Sequence, residues 1–131
     1  KSRIMKVEDL MIGDWLLYKS DSLENAFPIQ ITREMFNKEL VVWKDRFEPI
    51  PLTVEILEKN GILYRKSSFY YIINDNKDLE CTHYIYQTIQ EDWAIGVDTG
   101  TDDCSVFARI QYVHELQHAL KLCRIDKEIV V

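Results

Sequence analysis

The residues whose types and spacing come nearest to chemistry lie in Val113-His114-Glu115-Leu116-Gln117-His118-Ala119-Leu120. His-Glu-x-x-His on a helix sets two imidazoles within reach of one metal ion and offers the Glu as the general base of a metallopeptidase. In this chain His114 and His118 would be the ligands and Glu115 the base. A catalytic zinc also takes a third protein ligand and keeps one position open for water. The continuation, Ala119-Leu120-Lys121-Leu122-Cys123-Arg124, lacks the Gly and third His of the extended motif, and the carboxylates that follow are Asp126 and Glu128. Glu128 is the candidate third ligand. The competing reading is a solvated helix face. At about 100° per residue, Tyr112, Val113, Leu116, Ala119, Leu120 and Cys123 share one packed face, and His114 and His118 point away from it, beside Lys121. That reading is preferred, with no catalytic residue, no cofactor and no metal ligand assigned.

Other local patterns are weaker. Gly96-Val97-Asp98-Thr99-Gly100-Thr101 resembles the Asp-Thr-Gly turn of retroviral-type aspartic peptidases, which needs a second carboxylate to share its proton. Such a turn comes early in those enzymes, with flap and dimer elements after it, and a loop of turn-forming residues explains it here. Cys81 and His83 would share a strand face, but two ligands without convergent partners more often pack than bind metal. The four glycines are scattered singly, so no phosphate-cradling loop is present. Trp15 and Trp43 would have to be exposed to build a ligand groove, and buried aromatics are the commoner case.

The elements that must position these residues are legible from periodicity. Met11 to Tyr18 reads as a turn at Gly13 feeding a strand. Phe27, Ile29 and Ile31 alternate with Pro28, Gln30 and Thr32, the signature of a half-buried strand, and Leu40-Val41-Val42-Trp43 is a third candidate. Together they predict a small curled antiparallel sheet of SH3-like type. Glu48 to Leu52 is extended by its prolines. Thr53 then caps a helix over Val54 to Asn60, Leu52 and Leu57 are placed for a hydrophobic staple, and Gly61 is the left-handed stop. Ile62 to Arg65, Ser68 to Ile73, Glu80 to Ile89, Trp93 to Val97 and Val106 to Ile110 predict an antiparallel meander. Asn74 to Asp78 is read as a turn and Asp98 to Asp103 as a loop. A last helix covers about Gln111 to Cys123. The fold class is α+β: one domain over 1–131, a β subregion over 1–52, and a C-terminal helix packed on the sheet.

Bulk properties narrow the function classes. The 131 residues are 47% apolar and 29% charged, with seven Tyr, five Phe and three Trp, as an ordinary folded domain requires. A net charge of -6 argues against a sequence-independent nucleic-acid binder, and the brief basic start (Lys1, Arg3, Lys6) does not reverse it. Three widely spaced cysteines, Cys81, Cys104 and Cys123, read as reduced thiols rather than a disulfide framework or structural zinc site. No run approaches the roughly 18 apolar residues of a membrane span and no signal peptide is visible, so the expected location is the cytoplasm, away from membranes.

Three motifs in order, Ile12-Gly13-Asp14-Trp15, then Pro49-Ile50-Pro51-Leu52-Thr53 with Ile56-Leu57 and Gly61, then Tyr112-Val113-His114 with Leu116-Gln117, carry a resemblance over residues 12 to 120. The chain resembles a family of small uncharacterised proteins common in Bacteroidetes genomes and their phages and mobile elements. The resemblance implies that Gln commonly follows the helix His and that Asn often holds the second His position, so Glu115 and His118 would be surface variation. It brings no activity. It implies a bacterial or phage origin and a cytosolic, non-enzymatic accessory or interaction role with an unknown protein partner. A zinc-dependent hydrolase is the alternative.

Overall fold

The computed structural model describes residues 7–19, 26–37, 44–66, 69–76, 81–98 and 104–131. The expected strand at 40–43, the basic residues at 1, 3 and 6, and Thr99 and Gly100 of the Asp-Thr-Gly pattern lie outside these residues.

Two antiparallel sheets organise the chain. The first has the order β2-β1-β3, from β1 (Trp15–Lys19), β2 (Ala26–Gln30) and β3 (Phe47–Pro49). Leu16 pairs with Ile29 on one side and Pro49 on the other. Pro28 and Pro49 fall on the two outer strands, where a missing N–H costs no ladder bond. A short helix, α1 (Arg33–Asn37), separates β2 from β3. Neither α1 nor β3 was expected as such. Leu10, Leu16, Ile31, Met35 and Phe47 form the small core of this unit. No ladder joins β2 to β3 among the described residues, so the sheet is open and not the SH3-like barrel that three curled strands suggested.

The second sheet is the meander β4 (Leu63–Arg65), β5 (Tyr70–Asn76), β6 (Cys81–Gln87), β7 (Trp93–Asp98) and β8 (Cys104–Ile110), in sequence order. The expected turn at Asn74 is displaced: Asn74 pairs with His83 and Asn76 with Cys81, so β5 runs on as strand. A register shift between Ile72 and Asn74 accommodates this extension. One face carries Ile73, Ile85, Trp93, Ile95 and Ile110 into the main core.

Two helices cover that face. The first, α2 (Val54–Lys59), is punctuated as its sequence predicts. Thr53 is extended (φ -125°, ψ 163°) and its hydroxyl accepts from Ile56 N at 3.3 Å. At the other end Gly61 has φ +74°, Gly61 N donates to Glu58 O at 3.0 Å and Ile62 N to Leu57 O at 2.9 Å. These paired bonds satisfy two carbonyls that a helix end would otherwise leave open. Leu52 and Leu57 lie in the same core, where a fully buried Leu contributes about 1.5–3 kcal/mol.

The second, α3 (Val113–Leu122), buries Val113, Leu116, Ala119 and Leu120 in that core, as the apolar periodicity requires. The residues after α3 return to it: Ile129 is buried, and the Asn60 side chain accepts from Val130 N and donates to Val130 O, both at 2.8 Å. No helix among the described residues is long and apolar enough to cross a membrane.

Candidate functional site

The His114–His118 segment lies where the two sheets meet α3, and its polar side chains are committed to the fold. Glu115 is the third residue of the helix. Its Oε1 accepts from Gln111 N at 2.8 Å and Tyr112 N at 3.1 Å, so the carboxylate covers donors at its own helix start. A general base would have to face a metal-bound water instead.

His118 turns to the N-terminal unit. Its Nε2 lies 2.7 Å from Asp14 Oδ2, an oxygen that also accepts from Met11 N at 2.8 Å. With the carboxylate as acceptor, Nε2 carries the proton and Nδ1 keeps the lone pair. Asp14 is fully buried, the His118 side chain is 24% exposed, and Asp14 Oδ1 has no hydrogen-bond partner among the described residues.

Gln117 supplies the second tie. Its Oε1 accepts from Trp15 N at 2.9 Å and its Nε2 donates to Gly13 O at 2.8 Å. Gly13 has φ +95°, a conformation that favours glycine, and its carbonyl accepts from Gln30 Nε2 as well, at 2.9 Å. Trp15 is half-buried, with Nε1 donating to Ile129 O at 2.7 Å. A cleft of about 400 Å³ beside it is lined by Trp15, Gln117, Leu120, Lys121 and Ile129.

The expected solvated position of His114 is corrected. His114 is buried at 8% exposure, stacked on Tyr112 with ring centroids 6.0 Å apart and edge-on to His118 at 5.6 Å. The helix packs on two sides, the broad apolar face against the five-stranded sheet and a narrower one against the Gly13–Trp15 turn. Hydrophobic periodicity reports only the first. Glu128, the candidate third ligand, is exposed and lies beside the cleft at Trp15. No three His, Cys, Asp or Glu side chains are grouped to hold a metal ion among the described residues.

The three motifs that carry the resemblance meet at α3. Ile50 O accepts from Val113 N at 2.8 Å and Leu52 N donates to Gln111 O at 2.9 Å, while the Gly13–Trp15 turn holds Gln117 and His118. Asp14 and Gln117 belong to those motifs, but the sequence alone assigns them no role. The available signals were a lone acid at a strand start and a Gln beside a core Leu.

Elsewhere the weaker candidates stay apart. Asp98 ends β7 and accepts from the Tyr70 hydroxyl at 3.1 Å. Cys81 and His83 do share a face of β6, and burial pushes the His83 imidazole below its ordinary value. Cys81 and Cys123 are free thiols, and burial raises that of Cys123. No family model, curated protein or solved structure matches the chain.

Proposed function

We propose that this chain is a non-enzymatic accessory or interaction protein of bacterial or phage origin, acting through a protein partner in the cytoplasm. The observation that carries the reading is the orientation of Glu115. The residue that a zinc peptidase would need as its base instead caps the helix that bears it, and His118 beside it is engaged by a buried carboxylate. Glu115 thus serves its own helix start, and His118 ties the N-terminal sheet to α3. The rival reading is a zinc-dependent hydrolase with His114, His118 and Glu128 as ligands. It requires Glu115 to leave its two amides, while His118 could keep Asp14 on Nε2 and offer Nδ1.

Zinc titration with elemental analysis separates the two. The purified chain should hold no stoichiometric zinc, and a chelator should leave its Tm unchanged. Glu115→Gln keeps an acceptor for the two amides but loses the charge at the helix start, and should cost about 0.3–1 kcal/mol. One zinc per chain that is lost in His118→Ala would overturn this reading in favour of a zinc site. With no zinc bound, crosslinking in the native host should recover one protein in stoichiometric yield.

A further inference from the structure

We infer that the groove between the end of α2 and Trp15 is a peptide-binding site, filled here by the chain's own residues 125–131 in place of a partner's extended segment. The inference rests on the reading of the chain as an interaction protein and names what its partner must offer.

Beyond α3, residues 125–131 form no ladder with either sheet among the described residues. Their burial alternates as in a strand: Ile125, Ile129 and Val131 turn to the main core, while Asp126, Glu128 and Val130 are exposed. Side chains from elsewhere in the chain hold the segment by its backbone. Trp15 Nε1 donates to Ile129 O at 2.7 Å and Lys59 Nζ to Val131 O at 2.9 Å. Asn60 takes both groups of Val130, accepting from N and donating to O, each at 2.8 Å. In the other direction, Lys127 Nζ donates to Asn60 O at 3.1 Å.

Bonds of this kind read an extended backbone whatever side chains it carries. Peptide recognition by strand-like segments draws its affinity from such bonds and its specificity from side-chain pockets. The pocket here takes in one residue fully, Ile129, at 3% exposure. The clamp is also held in place from its own side. Asn60 Nδ2 donates to Ile56 O at 2.8 Å, and Trp15 N donates to Gln117 Oε1 at 2.9 Å. Groups fixed in this way lose little freedom when a peptide binds.

Two features make the segment replaceable. Its bonds to Lys59 and to Asn60 through Val130 lie at the surface, and a segment so held opens at less cost than the core does. It also leaves the groove partly empty, since the cleft of about 400 Å³ lies between Ile125 and Ile129 on one side and Trp15 and Leu120 on the other. A partner's segment with a larger apolar residue at the Ile129 position would fill that space. The partner must then offer an extended stretch with an apolar residue for the pocket, followed by a residue other than proline for Asn60.

Fluorescence anisotropy of a labelled peptide of residues 125–131, added to the full chain, tests the site. Ile129→Asp puts an unpaired carboxylate in the pocket and should release the chain's own segment. The released chain should bind the peptide about tenfold tighter than wild type, whose own segment competes. Adding Asn60→Ala should weaken that binding by about tenfold, and a peptide carrying Ile129→Asp should not bind. In wild type the Val130 amide should exchange faster than those of Leu116 and Leu120. If Ile129→Asp loses its circular dichroism, Val130→Pro, which removes the N–H that Asn60 reads, serves in its place. Equal binding by the wild-type and released chains overturns the proposal. A wild type that dimerises by exchanging residues 125–131, seen by sedimentation, does so too. Absence of peptide binding in the released chain, while crosslinking in the host still recovers one partner, overturns this site alone.

Discussion

His118 and Asp14 stand 104 residues apart in the chain, and their side chains meet at 2.7 Å in the seam between the two sheets. One partner is fully buried and the other about one quarter exposed. A buried carboxylate is costly, and the imidazole and the Met11 amide offset part of that cost by answering Oδ2, while Oδ1 has no partner among the described residues. Beside them Gln117 bonds to Gly13 and Trp15. The N-terminal sheet is therefore held on α3 by directional polar contacts as well as by packing.

This contact should be visible as non-additivity. His118→Ala should cost about 1.5–3 kcal/mol, the range for hydrogen bonds to charged groups, where a solvated histidine would cost less than about 0.5 kcal/mol. A double-mutant cycle on Asp14→Asn and His118→Asn, read by urea unfolding, should give a coupling energy of about 0.5–3 kcal/mol. Costs that simply add would show that the pair does not form in solution.

The punctuation of α2 gives a second pair of expectations. Thr53→Ala removes the bond to Ile56 N and should destabilise by about 1 kcal/mol. A Cβ on Gly61 would meet nothing nearer than Lys127 Nζ at 4.0 Å, so the cost of Gly61→Ala is the left-handed backbone alone, about 1–2 kcal/mol. Gly61→Asn should cost less than Gly61→Ala, because Asn tolerates this conformation; thermal melts that rank them the other way would contradict the helix stop.

Gly96 is constrained by space. A Cβ there would lie 2.5 Å from the Tyr84 hydroxyl oxygen and 2.6 Å from the Ser105 carbonyl oxygen. Gly96→Ala should therefore cost about 1–3 kcal/mol through overpacking. Adding Tyr84→Phe removes only the hydroxyl oxygen and should restore little of the loss, since the ring carbon Cζ at 2.7 Å and the Ser105 carbonyl remain. Full stability in Gly96→Ala, measured by chemical denaturation, would mean that β6 and β8 do not crowd this position.

His83 gives a pH dependence of defined sign. Burial lowers its folded value, so below about pH 6.5 the unfolded chain takes up this proton before the folded one does. Its contribution is fully present above that pH and declines as pH falls toward the folded value. An NMR titration should place the His83 midpoint below about 6.5, and His83→Gln should flatten the stability profile in that window. A midpoint above it would mean that the imidazole gains an anionic partner instead of losing solvent.

The sequence by itself determined the elements whose causes are local. Thr53 and Gly61 act on amides and carbonyls within a few residues, so α2 could be read to its ends. Aromatic and β-branched runs placed the strands of the meander, and the 3.6-residue period placed Leu116 and Leu120 in the core. Only the tertiary structure decided what depends on distant partners. β5 runs through the Asn-rich stretch read as a turn because Asn74 and Asn76 find ladder partners in β6. Three short strands stay an open sheet because no ladder joins β2 to β3 among the described residues. The His-Glu-x-x-His letters permit a zinc helix by spacing alone. The contacts that Gln117 and His118 make are with Asp14, Gly13 and Trp15, which lie about a hundred residues away and which no local pattern connects to α3.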